Sequence, residues 1–200
     1  MSKNLLIIFT RNPELGKVKT RLSKSIGDEN ALSIYKTLLK RTEKNVRDLN
    51  CDKTVYYSVK IRENDIWDDS IYQKHQQHGL DLGERMQNAF INAFNKKYEK
   101  VAIIGSDLFD LNQNHINEAF KSLNKKDFVI GPAHDGGYYL LGMKSLNSHV
   151  FKNKDWGTSS VLRDTLADLK GKSVYLLETL NDIDVYDDLI NIRAFKKYLI

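Results

Sequence analysis

Two apolar runs in this chain each stop against a carboxylate, and a third segment pairs two more. Val101-Ala-Ile-Ile-Gly-Ser-Asp107 reads as a buried strand that ends at an acid. Phe128-Val-Ile-Gly-Pro-Ala-His-Asp-Gly-Gly-Tyr-Tyr-Leu-Leu-Gly142 reads as a strand, an Asp135-Gly136-Gly137 turn and a second strand. Asn181-Asp-Ile-Asp184 puts two carboxylates on one face of an extended segment, able to share a hard cation with water and phosphate oxygens. Open α/β sheets bind ligands beyond the carboxyl ends of their strands, so these acids point to an enzyme that handles something charged.

Each acid also has a structural reading. Asp107 as a helix cap is disfavoured, because apolar periodicity resumes only near Ile116 and Asn112 or Asn114 is a closer cap. Asp107 reads instead as a metal or ribose ligand, and Asp110 as a turn residue. Asp184 competes as the cap of a helix beginning near Val185. Asp-Gly alone is a common hairpin turn, but the second glycine allows close backbone approach by a ligand. His134 reads as an incidental loop residue. Tyr138 and Tyr139 fall on opposite faces of a strand, so at most one faces a site.

Cations gather after the first strand. Between Arg11 and Lys24 stand Arg11, Lys17, Lys19, Arg21 and Lys24 against the single acid Glu14, whereas Glu178 to Asn191 holds five acids and no base. The two could form the halves of a phosphate–metal site. Gly16-Lys17 is not a P-loop, since Arg11 stands where that motif needs glycine and Val18 where it needs Ser or Thr. If the loop is extended, Lys17, Lys19 and Arg21 alternate onto one side. Gly83-Glu84-Arg85 lies in a first helical turn, from which Arg85 can reach a phosphate. Trp156-Gly-Thr-Ser-Ser160 supplies hydroxyls at a helix start, as caps by default.

The elements that must position these groups alternate. Strands are expected at Asn4–Thr10, Lys53–Val59, Ile71–Lys74, Val101–Gly105 and Ser173–Leu177, beside the strand–turn–strand around Asp135. Helices are expected over Asp28–Leu49 (N-cap Asp28), Asp81–Tyr98, Gln113–Leu123, Thr158–Leu169 and Val185–Tyr198. That order implies one domain over residues 1–200: α/β, a mostly parallel sheet flanked by helices with a small antiparallel insertion.

At 200 residues, 41% hydrophobic and 28% charged, the composition is that of a globular protein with a sizeable core. No apolar run approaches a membrane span or a signal-peptide core. Cys51 is the only cysteine, which excludes an intrachain disulfide and a thiolate metal cluster. A cytoplasmic protein is the simplest expectation. The net charge of +5 raises a nucleic-acid-binding module as a rival of another class. The lack of exposed aromatics interleaved with bases argues against it.

The ordered segments FTRNPELGKVKTRL, LDLGERM, IIGSDLFDL, GPAHDGGYYLLG, DWGTSSVL and NDIDVYDDL resemble a bacterial family of GT-A-fold glycosyltransferases. This family is also filed as DUF2064 and is related to nucleotidyltransferases such as 2-phospholactate guanylyltransferase. The resemblance runs from Leu5 to about Leu189. It departs at Phe109-Asp110, where relatives often carry a Cys-Pro pair. It implies a nucleotide-diphospho-sugar-transferase fold, a nucleotide or nucleotide-sugar donor, a small-molecule acceptor and Mg²⁺ or Mn²⁺.

Matched position by position, Lys17, Lys19 and Arg21 fall on the family's basic loop and Asp107 on its metal acid. Asp182 and Asp184 fall on the distal metal acids, and Asp135, Gly136 and Gly137 on the substrate-side loop. The expected nucleotide set is then Arg11, Gly16, Lys17, Lys19, Arg21, Arg85, Ser106, Gly136, Gly137 and Thr158. Asp107 and Asp135 are the expected catalytic pair, Asp135 orienting or deprotonating the acceptor. The resemblance puts glycosyl transfer from a nucleotide sugar first. The many cations of the first loop lean towards the alternative, nucleotidyl transfer with pyrophosphate release. Neither nucleic acid nor a membrane is an expected partner.

Overall fold

The structure, a computed structural model, describes residues 3–199. Its centre is a seven-stranded sheet of β1 (Asn4–Thr10), β2 (Asp52–Tyr57), β3 (Tyr72–Gln76), β4 (Lys100–Gly105), β5 (Phe128–Pro132), β6 (Tyr138–Met143) and β7 (Val174–Leu176). The spatial order is β3-β2-β1-β4-β6-β5-β7. Only β6 runs antiparallel, against both β4 and β5. The expected antiparallel insertion is therefore the strand after Asp135-Gly136-Gly137. It forms there because a short turn reverses the chain, whereas every parallel pairing needs a crossover.

Alternation along the strands divides the core between two faces. Leu6, Ile8, Ala102 and Ile104 pack against helices α2 (Asp28–Val46) and α4 (Gln113–Ser122). Leu5, Ile7, Val101 and Ile103 pack against α3 (Leu82–Asn95) and α5 (Val161–Asp168). Tyr138 and Tyr139 separate as the strand period requires, to the α3 face and the α2 face. Asp81 caps α3 through Glu84 N, and Asn112 caps α4 through Asn114 N, so Asp107 is not consumed as a cap.

Three expectations need correction. The basic loop is not extended: Lys19 is left-handed at φ 50° and leads into α1 (Thr20–Ile26). The reason is burial, since Leu22 and Ile26 stand one turn apart and pack with Ile34 and Leu38 of α2. Asp28 opens α2 from inside, and Gly27, at φ 82°, takes the cap position. No α-helix spans Val185–Tyr198; two 3₁₀ segments, Tyr186–Leu189 and Arg193–Tyr198, occupy it. There the Asp188 carboxylate accepts from the Asp184 and Val185 amides, which tightens the chain into a short turn. Leu189, Phe195 and Tyr198 still reach the α1–α2 core.

Among the described residues, no helix is long and apolar enough to cross a membrane.

Candidate active site

Where β4 ends, Ser106 turns inward and Asp107 turns out. Ser106 is buried, its hydroxyl donating to Thr10 Oγ1 at 3.1 Å and its carbonyl accepting from Thr42 Oγ1 at 3.1 Å. It braces the strand end from below rather than lining the nucleotide site expected for it. One residue past Asp107, Leu108 pairs in an isolated antiparallel bridge with Asp182. That bridge brings the carboxyl-terminal acids to the strand end.

The first loop supplies the counter-charges. Lys19 Nζ lies 2.7 Å from Asp107 Oδ2, and Arg21 Nη1 lies 3.0 Å from Asp184 Oδ2. The basic and acidic segments thus meet as two halves of one site, although not through a shared strand face. The left-handed turn at Lys19 sends its side chain inward while α1 presents Arg21. The Lys19 side chain is 5% exposed. Burial pulls its pKa down, but Asp107 foremost, with Asp182 and Asp184, outweighs this and holds the ammonium above its ordinary value. Asp182 is the under-compensated member. Burial pushes its pKa up to about 6, Lys19 opposes the shift, and Asp135 and Asp107 add to it.

Beside these acids opens a cleft of about 230 Å³. Phe9, Leu82 and Met86 form an apolar side, Asp107, Asp135 and Asp182 a carboxylate rim, and Tyr138, Trp156 and Thr158 the remaining wall. Asp135 Oδ1 accepts from Gly137 N at 2.8 Å, which fixes the turn. Gly136 has φ +87°, and a Cβ there would stand 2.4 Å from Ser159 O. The close approach that this glycine permits is thus by the chain's own segment before α5, not by a ligand. Thr158 Oγ1 donates to Asp155 O at 2.8 Å.

Other expected residues lie elsewhere. Lys17 is exposed and outside the cleft lining. Gly16, at φ +68°, shapes the loop beside the Asp28 carboxylate. Arg85 Nε donates to Gly79 O at 3.1 Å, fastening the loop before α3 instead of facing the cleft. Arg11 lines a different pocket. Sequence reasoning missed Phe9, Met86 and Trp156 as cleft residues, and it expected at most one of Tyr138 and Tyr139 at a site, whereas both line the cleft. The Tyr138 hydroxyl and the Trp156 indole N–H are buried with no hydrogen-bond partner among the described residues. Asp188 was also missed; besides the two amides it accepts from Asn181 Nδ2 at 2.7 Å, and so holds the Asp182–Asp184 segment in place.

Among the described residues, no three His, Cys, Asp or Glu side chains are grouped to cage a metal ion. The expected trio Asp107, Asp182 and Asp184 therefore does not form a closed set, and two of its members hold cationic side chains. The donor chemistry still fits a hard cation of the Mg²⁺ kind, which takes one or two carboxylates and completes its shell with phosphate and water. Asp107 and the under-compensated Asp182 are the pair that fits.

The model of the bacterial family DUF2064, described as "Uncharacterized protein conserved in bacteria", matches residues 42–158. The chain is 26% identical over 192 residues to a 2-phospho-L-lactate guanylyltransferase of Methanocaldococcus vulcanius, covering 92% of this chain and 82% of that protein. A candidate nucleotide-diphospho-sugar transferase from Desulfovibrio desulfuricans G20 superposes with a TM-score of 0.86 at 30% identity, covering 100% and 93% of the two chains. The 4-diphosphocytidyl-2C-methyl-D-erythritol synthase of Anaerococcus prevotii shares the fold, with a TM-score of 0.59 at 10% identity and 98% and 97% coverage.

Proposed function

The chain belongs to the DUF2064 family and to the nucleotide-diphospho-sugar-transferase fold, and we propose that it is a nucleotidyltransferase moving a nucleoside monophosphate from a triphosphate to a small phosphorylated acceptor. One observation carries the reading: the two cations of the first loop, Lys19 and Arg21, pair with Asp107, which lines the cleft, and with Asp184, two residues beyond the lining residue Asp182. A site with this composition is charged to receive both a polyphosphate and a divalent cation. The similarity to a guanylyltransferase supports the same chemistry.

In the reaction an acceptor oxygen attacks the α-phosphorus, the bond from that phosphorus to the bridging oxygen breaks, and pyrophosphate leaves. Lys19 and Arg21 exchange their carboxylate partners for phosphate oxygens, Arg21 by its planar fork and Lys19 as a point charge. Asp107, freed from the Lys19 ammonium, and Asp182 would hold Mg²⁺ or Mn²⁺, which would supply positive charge to neutralise the phosphates. Phe9, Leu82 and Met86 take the apolar parts of the substrates. Asp135, one oxygen committed to Gly137 N, orients the acceptor with the other. Buried low-dielectric walls strengthen each of these contacts.

A second reading, glycosyl transfer from a nucleotide sugar, is favoured by the likeness to the Desulfovibrio protein. It uses the same acids and releases a nucleoside diphosphate. A thermal-shift panel with and without Mn²⁺ separates the two, since tight ligands raise apparent stability. Nucleoside triphosphates are expected to stabilise more than nucleotide sugars, and only with the metal. The reverse order favours glycosyl transfer, and no shift from any nucleotide contradicts both.

A further inference from the structure

The cleft is not the chain's one charged concavity. At the carboxyl ends of β1 and β2, on the α2 face of the sheet, a pocket of about 350 Å³ is lined by Arg11, Lys36, Lys40 and Arg62. None of its lining residues also lines the cleft. Its apolar wall belongs to the α2-side core, through Leu39 and Trp67; the cleft draws on that core through Ile104, Leu108 and Tyr139 and on the α3-side core through Met86.

Among the described residues, no ion pair or side-chain hydrogen bond engages any of these four cationic groups. Only one acid lines the pocket, and it is already spoken for. Asp65 Oδ2 accepts from Tyr57 Oη at 2.7 Å, while Oδ1 accepts from Trp67 N at 3.1 Å and stands 3.1 Å from Lys74 Nζ. Four like charges around one concavity repel each other unless an anion joins them. Two of them are guanidinium forks, the groups suited to bidentate contact with phosphate or carboxylate. The adjoining apolar wall suits a short carbon skeleton.

We propose that this pocket is a second anion site, separate from the cleft, that takes a small organic molecule carrying a phosphate together with another acidic group. The proposal moves Arg11 from the cleft's nucleotide to this second ligand. It does not depend on which transfer the cleft performs.

The chain's two tryptophans permit a direct test: Trp67 borders this pocket and Trp156 the cleft. In a Trp156→Phe background, emission from Trp67 is followed while phosphoglycolate, and separately inorganic pyrophosphate, is added without divalent cation. The expected result is a saturable change that the Lys40→Ala/Arg62→Ala pair weakens by at least about tenfold, since two charge-assisted contacts are lost. Arg21→Ala, which removes the cation paired with Asp184, should leave the titration unchanged. Lys40 is exposed and Arg62 half-buried, and an unshifted thermal midpoint of the double variant shows that it is folded. No saturable change with either anion overturns the proposal. So does a signal that survives in the double variant or disappears with Arg21→Ala.

Discussion

An ammonium group that is 5% exposed is stable only with carboxylates around it, and Lys19 has Asp107 in contact with Asp182 and Asp184 nearby. Asp107→Asn therefore does more than remove a metal ligand: it strands a buried charge. Because the Asp107 side chain is 35% exposed, solvent screens part of the loss, and about 1–3 kcal/mol of destabilisation is expected in denaturant titration. Adding Lys19→Met should restore part of it; a double variant less stable than Asp107→Asn alone would contradict the pairing. Asp182 carries the opposite sign. Its pKa is raised from 3.8 to about 6 in the fold, so between those values the folded chain binds more protons than the unfolded one. Its contribution to stability is full below the lower value and lost as pH rises through the upper one. Asp182→Asn should raise the melting temperature of the ligand-free protein by a few degrees above neutrality, with the gain fading towards pH 4. An equal gain at both pH values would contradict this.

The elements that carry these residues were legible where one local rule decided them. Asn4–Thr10 is apolar on both faces, and β1 has those bounds; Asn112, one of the two caps expected there, caps α4. The rest was set by distant partners. Nothing local makes Lys19 left-handed; its ammonium meets an acid 88 residues away. The closing segment looked helical by apolar spacing, but the Asp188 carboxylate captures two upstream amides and tightens it. Of the site, the acids at strand ends were readable, because strand and acid adjoin in sequence. The Tyr138 hydroxyl and Trp156 N–H, unpartnered among the described residues, were not, since they come together from β6 and the segment before α5. The packing of that segment yields a prediction of its own. Gly136→Ala would place a methyl 2.4 Å from Ser159 O at a positive φ, and should cost about 1–3 kcal/mol from strain alone. It should also displace Thr158 from the cleft wall. Unchanged stability in thermal unfolding would mean that the two segments are not held so closely.

For the molecule as a whole, the carboxyl edge of the sheet carries two pockets with no lining residue in common. The cleft joins carboxylates to apolar residues of both cores, and the pocket on the α2 side joins cations that are unpaired among the described residues to an apolar wall of its own. The central claim concerns the first of these, that the acids and cations at its rim transfer a nucleotidyl group. The direct measurement is pyrophosphate release by the purified protein with GTP or CTP, Mn²⁺ and a panel of small phosphorylated hydroxy acids. The account predicts release that needs both triphosphate and acceptor and falls at least about a hundredfold in Asp107→Asn. Release of nucleoside diphosphate from nucleotide sugars without pyrophosphate from any triphosphate, or an undiminished rate in Asp107→Asn, would contradict it.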